Sequence, residues 1–429
     1  MNKVRAGYKM TELGEIPIEW EVKRLEECTN KITDGSHTSP APVEISNYKI
    51  CTVANMKKYK LDLENSTNIS EEDYIRLIKN GCSAERGDVL LSKDGTVGKT
   101  LVYSQSGENI VFLSSIAIIR PQKNILLGEY LNQYLQETRT LERLSNTKTG
   151  SAIKRIVLKD IKNIKIIIPK IQEQERIASI LSTVDEQIDN VDALIEKNKE
   201  LKKGLMQTLL IKGIGHTKFK KTEIGEIPEE WEIKELSELY SENIRDFGSF
   251  STTKLIEYVE EGIPYLRAEN FRENKIVLNS VSYITEEVDK LLDKSYVYDG
   301  NILFTKIGNI GCATVYRGEL GTRCNSNATI AKIKIDENIY DSNYIVYFLN
   351  SLQCKKQYIG SIISTPPRIN MGEISKFKIA IPKLYEQTKI ASILLKVDSK
   401  IEEYENKKIM FEELKKGLMQ QLLTGRIRV

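Results

Sequence analysis

Residues 161–214 read IKNIKIIIPKIQEQERIASILSTVDEQIDNVDALIEKNKELKKGLMQTLLIKGI, and residues 374–427 read ISKFKIAIPKLYEQTKIASILLKVDSKIEEYENKKIMFEELKKGLMQQLLTGRI. The two stretches align at a shift of 213 residues without a gap, and about half of their 54 positions are identical. Unrelated segments would match at roughly one position in sixteen. The chain is therefore internally duplicated, and its fold is read as two copies of one plan. In the first copy Ile177, Leu181, Val184, Ile188, Val191 and Ile195 fall on alternating steps of 4 and 3; Ile390, Leu394, Val397, Ile401 and Tyr404 repeat them. This is a heptad seam, the mark of a long helix that needs a partner along one face. Glu173 and Glu175 near its start and Lys202 and Lys203 near its end suit the helix dipole. From Glu173 to Leu210 such a helix runs about 57 Å at 1.5 Å per residue. The nearest partner for its seam is the other copy.

A second repeat leads each copy. Residues 8–27, YKMTELGEIPIEWEVKRLEE, return as 219–238, FKKTEIGEIPEEWEIKELSE, with 13 of 20 positions matched. Pro17 and Pro228 exclude a helix through this stretch, since proline removes a backbone donor and restricts the residue before it. Trp20 and Trp231, the only two tryptophans, are expected to anchor each copy on its domain. Between the leading motif and the helix the copies diverge. A skeleton survives in GDVLLSKDGTVG (87–98) against GNILFTKIGNIG (300–311), with strand-like runs at 88–91, 110–113 and 116–119.

The expected fold class is α+β. Two mixed α/β domains, 1–169 and 213–382, are joined by spacer helices over 170–212 and 383–429, which form an antiparallel coiled coil with pseudo-two-fold symmetry. The 429 residues suffice for such domains, and 40% hydrophobic with 29% charged residues is ordinary for a globular protein. No apolar run approaches a membrane span and the first ten residues are too polar for a signal peptide, so a cytoplasmic protein is expected. Six cysteines without a C-x-x-C spacing, and only two histidines, argue for reduced thiols and against a structural zinc site.

Catalytic signatures are missing. SKDGTVGKT (92–100) imitates the end of a phosphate-binding loop, but Lys93 stands where that loop needs glycine, and no helix pattern follows. Hydrolase, metalloprotease and amino-methyltransferase motifs are absent as well, so the chain reads as a binder with no cofactor or metal of its own.

Charge is more informative than the net value of +3. Residues 141–170 hold eight basic side chains against two acidic, and 354–383 hold six against one, whereas 173–200 carry eight acids and three bases. A basic end on each domain, repeated twice, suits binding of a polyphosphate at two places. The candidate contacts in the first copy are Asn55, Lys57, Lys58, Lys60, Lys93, Lys148, Ser151, Lys154 and Arg155. Those in the second are Arg267, Asn270, Arg272, Lys275, Lys306, Ser364 and Arg368. Asn, Arg and Lys can bond base edges, while Ser and Lys hold phosphate.

The paired GEIPxxW motifs, the G-[DN]-[VI]-L runs and the IPK-x-x-EQ-x-x-IASIL…LKKGLMQ-x-LL helices together resemble the specificity subunits of type I restriction–modification systems. The resemblance covers nearly the whole chain. It implies that each variable domain is a target-recognition domain reading one half of a split, asymmetric site in double-stranded DNA. It further implies that the helices space these domains and dock two modification subunits and a restriction–translocation subunit. S-adenosylmethionine, Mg and ATP would be bound by those partners, with no catalysis in this chain. The docking residues would then lie on the helices, at Ile177, Leu181, Val184, Ile188 and Gly204 and at Ile390, Leu394, Val397, Ile401 and Gly417. A helical glycine costs about 1 kcal/mol relative to alanine, so the repeated Gly204 and Gly417 are expected at a close approach between the helices or to a modification subunit. The rival is a coiled-coil scaffold whose end domains bind protein or sugar and have no DNA role. It leaves the paired basic windows without a purpose.

Overall fold

The computed structural model describes residues 4–105, 108–146, 156–245, 256–272, 274–360, 362 and 367–429. Each copy opens on a hairpin: Tyr8–Thr11 pairs with Gly14–Pro17, and Phe219–Thr222 with Gly225–Pro228. Gly14 and Gly225 turn these hairpins at φ of 109° and 124°, a region open to glycine at little cost. The next strand, Glu21–Arg24, lies antiparallel to Lys165–Ile168, which runs into the first long helix. Glu232–Glu235 and Lys378–Ile381 repeat the arrangement before the second. The beginning and end of each domain are thereby pinned together at the foot of its helix.

Both domains share a four-stranded antiparallel sheet. Its order is Thr29–Asp34, Ile116–Pro121, Val89–Ser92, Thr100–Val102 in the first copy. In the second it is Tyr240–Arg245, Ile330–Ile335, Ile302–Thr305, Ala313–Val315. The central strands are buried on both faces, which is why they read as continuous apolar runs. Around this common sheet the copies part. The first adds a three-stranded sheet of Thr67–Asn68, Tyr48–Cys51 and Asn109–Phe112. The second adds a five-stranded sheet built on Ser282–Ile284, Ile263–Leu266 and Cys324–Ser326.

The long helices are Ile171–Lys212 and Leu384–Leu422. The chain divides into two compact units, Met1–Asp192 with Asn406–Val429, and Ala193–Glu405. Each unit thus holds one domain, the first half of the helix that follows it, and the last half of the other helix. In the first unit Lys415 meets Asp185 at 2.8 Å and Lys408 meets Asp192 at 2.7 Å, so the two helix segments run antiparallel. In the second unit Lys202 meets Asp398 at 2.6 Å. The seam residues Ile177, Leu181, Val184 and Ile188 are buried in the first unit, and Ile390, Leu394, Val397 and Ile401 in the second. The first core joins Leu131, Ile161 and Leu181 to Leu422 and Leu423; the second joins Leu210 and Ile211 to Tyr344, Ile374 and Leu394.

One expectation is corrected. Gly204 and Gly417 are not sites of close helix–helix approach: both are exposed, and a Cβ on either would meet nothing within 4 Å. Among the described residues no helix is long and apolar enough to cross a membrane, and no group of three His, Cys, Asp or Glu side chains is placed to hold a metal ion.

Candidate nucleic-acid interface

Two polar anchors, each built twice, hold the domains on the helices. At the first, Trp20 Nε1 donates to Glu173 Oε2 at 3.0 Å, and Arg428 Nη2 reaches the same oxygen at 3.0 Å. In the second unit Trp231 Nε1 donates to Glu386 Oε2 at 3.1 Å, while His216 Nε2 lies 2.9 Å from Glu386 Oε1. The helix carboxylate is common to both copies; its second partner is an arginine in one and a histidine in the other.

The other anchor is the Asp–Lys pair between helix segments. Asp185 accepts from Lys415 and from Gln133 Nε2 of the domain (3.0 Å), and lies 3.2 Å from Lys58. Asp398 accepts from Lys202, from Tyr347 Oη at 2.6 Å and from Asn274 Nδ2 at 3.0 Å. Burial by itself would raise the Asp185 carboxyl. The hydrogen bonds from Lys415 and Gln133 and the charges of Lys415 and Lys58 outweigh it and hold the group below its usual value. In both units a loop of the domain therefore touches the acid face of the helix, through Lys58 in the first and Asn274 in the second. Asn274 is the one non-glycine residue with positive φ (54°) among the described residues.

The candidate contacts fall into three groups. Four are internal in this structure. Asn55 Oδ1 accepts from Thr52 N (2.9 Å), and its Nδ2 donates to the carbonyls of Asp62 and Asn65. Asn270 Oδ1 accepts from Arg267 N (2.8 Å), and its Nδ2 donates to Ser280 O. Both side chains are buried and brace their loops from within. Lys93 and Lys306 are each 2% exposed, and Lys93 Nζ is paired with Asp34 at 2.7 Å.

A second group is accessible. Lys57, Lys58 and Lys60 surround the exposed Tyr59 on a turn closed by Lys57 N to Lys60 O at 3.0 Å. Lys58 also pairs with Asp189 at 2.7 Å; burial works against its charge, but the bonds to Asp189 and Tyr59 raise its pKa. In the second unit Arg272 is exposed at the tip of a short hairpin, Lys275 pairs with Glu402 at 3.3 Å, and Arg267 lies 5.3 Å above the Tyr258 ring and pairs with Glu269. Arg368 is exposed on a bridge to Ile307. Tyr59 and Tyr258 are absent from the candidates that sequence suggests; Tyr59 stands inside a basic run, a known stacking signal, whereas Tyr258 is flanked by Glu257, Glu260 and Glu261 and gives no such signal. The third group, Lys148, Ser151, Lys154, Arg155 and Ser364, lies outside the described residues.

A family model described as type I restriction modification DNA specificity domain matches residues 17–201 and again 228–410. The chain belongs to this family. Each match covers one copy of the duplication, so the two halves of this type I specificity chain are two instances of the family domain. The MjaX specificity-subunit relative from Methanocaldococcus jannaschii is 31% identical, over 99% of this chain and 97% of its own length. The type I restriction enzyme MjaVIII specificity subunit of the same organism is 30% identical, over 83% of each chain. Among solved structures, the type I restriction–modification S subunit from M. genitalium superposes with a TM-score of 0.57 at 15% identity. That match covers 96% of this chain and 97% of the other, a likeness of fold. As a specificity chain the protein is a non-catalytic recognition subunit.

Proposed function

We propose that this specificity chain reads a bipartite, asymmetric site in double-stranded DNA, one part with each domain. Its helices serve as the spacer and as the dock for two modification subunits and a restriction–translocation subunit. The single observation that carries this reading is the doubling of one fold with divergent, basic, exposed loops on a common sheet. Two domains of one plan with different loops can read two different half-sites at one fixed spacing, and successive major-groove faces lie about 34–36 Å apart. S-adenosylmethionine, Mg and ATP belong to the partners, and the complex works in the cytoplasm.

Duplex titration of the full chain at increasing salt tests the reading. Affinity should fall steeply as counterions are released. Lys57→Ala with Lys60→Ala should flatten the salt slope by about one unit for each phosphate no longer neutralised, and should weaken all sequences alike. Salt-insensitive binding would overturn it. Adenine methylation mapped in cells with and without the chain would then give the motif.

Gly204 and Gly417 keep a role here. Both sit exposed on helix surfaces with open space above them, beside the exposed Leu201 and Leu414. A bare backbone there lets a partner helix come close, and Gly204→Leu with Gly417→Leu is expected to weaken capture of modification subunits about tenfold or more. The melting of the chain should not fall, since leucine is the better helix former. Unchanged assembly would remove the glycines from the dock.

A further inference from the structure

The glycine-rich turn, which imitates a phosphate loop in sequence, has one construction in both units. Ser92 Oγ donates to Thr96 O at 2.5 Å and accepts from Lys99 N at 2.8 Å; Thr305 Oγ1 donates to Asn309 O at 2.5 Å and accepts from Cys312 N at 2.9 Å. Gly98 N bonds Ser92 O and Gly311 N bonds Thr305 O, each at 3.0 Å. The glycines sit at φ of 70° and 92° in the first turn and 79° and 88° in the second, where L side chains rarely go. At the base, Lys93 O accepts from Ile156 N and Lys306 O from Ile369 N, both at 2.9 Å. Bond for bond, the frame is the same.

What the frame carries is not the same. The tips read Asp94-Gly95-Thr96-Val97 and Ile307-Gly308-Asn309-Ile310, with Thr96 and Asn309 exposed on turns whose backbones are fully specified. In the second unit an isolated bridge beside the turn sets the exposed Arg368 opposite Ile307, and Gly308 N donates to Pro367 O at 3.0 Å. Asn309 stands two residues along from that bridge, exposed, with its Nδ2 donating to Cys312 Sγ at 3.3 Å. Asparagine pairs bidentately with adenine and arginine with guanine, while threonine offers a hydroxyl and a methyl. A turn ordered in advance loses little entropy when its tip side chain binds.

Resting on the DNA-reading role proposed above, we infer that Thr96 and Asn309 are specificity-determining residues, one for each half-site. The buried lysines of the same turns, Lys93 and Lys306, shape the frame and read nothing.

The test is selection of the full chain, assembled with modification subunits, on a library of randomised duplexes, with Asn309→Asp, Asn309→Thr and Thr96→Asn beside the unmodified chain. The unmodified chain should enrich a two-part motif. Both Asn309 variants should change base preference about tenfold or more at a position in one part, with Asn309→Asp moving it away from adenine, and leave the other part as it was. Thr96→Asn should do the converse. A wild-type motif retained by all three variants would overturn the inference and leave the DNA-reading role standing, as would weakening spread evenly over all sequences, the mark of a phosphate contact. No enriched motif from the unmodified chain would remove the DNA-reading role and the inference together.

Discussion

Replacing Trp20 with alanine is expected to destabilise the first unit by about 3–5 kcal/mol, the usual cost of emptying an indole-sized site in a core. The ring is fully buried among Ile16, Leu25, Ile177 and Leu181. The loss goes beyond packing. Glu173, itself buried, gives up the Nε1 hydrogen bond, and Arg428 gives up the ring it lies over at 5.6 Å. Gly425 also packs against this ring: a Cβ there would stand 2.4 Å from Pro17 Cδ and 2.9 Å from Trp20. The segment 425–429 should therefore lose its seat, visible as faster amide exchange. Because Trp231 is then the only tryptophan, its fluorescence follows the second unit alone. Denaturant unfolding of Trp20→Ala should show the first unit melting early by circular dichroism while this fluorescence transition stays near its usual midpoint. Coincident, unshifted transitions would contradict the anchoring role.

The second large effect is expected at Asp185. Asp185→Ala leaves the ammonium of Lys415 half of a broken buried pair, which costs about 3–5 kcal/mol in such sites. Both side chains are well shielded, at 7% and 14% exposure, so screening by water reduces that figure little. Gln133 and Lys58 lose the same acceptor, so the domain and both helix segments of the first unit loosen together. The double change Asp185→Leu with Lys415→Met removes both charges and should recover most of the stability, since an apolar pair of similar volume is often as good or better. A double change no more stable than Asp185→Ala in denaturant unfolding would mean that the pair itself contributes little.

Residue type alone does not make legible which candidate residues lie exposed. Asn55 and Asn270 are both buried, as are Lys93 and Lys306 of the aligned glycine-rich turns. Asparagine and lysine are base and phosphate ligands when exposed and structural braces when buried; the asparagines are held by partners no more than 10 residues away, Lys93 by one far along the chain. Asp34 lies 59 residues from the lysine it neutralises. The T-x-x-N pattern from Thr52 to Asn55 was the one local hint, since it closes as a capping box in the structure.

By itself the sequence determined the duplication, the two long helices and their heptad seams, because these are local and periodic properties. The anchoring place of Trp20 and Trp231 followed in the same way. Only the tertiary structure decided which apolar surface each helix end seals. The repeated LMQ-x-LL of the first helix completes the core of the second domain, where Leu210 shares one cluster with Leu394, and that of the second helix completes the core of the first, where Leu422 shares one with Leu181. Hydrophobic burial is non-directional, and two nearly identical helix ends satisfy either core equally well in composition. A continuous helix cannot fold its own end back onto its start, so each core is completed by the other helix run antiparallel, and the duplicated pairs Asp185 with Lys415 and Asp398 with Lys202 close in that arrangement.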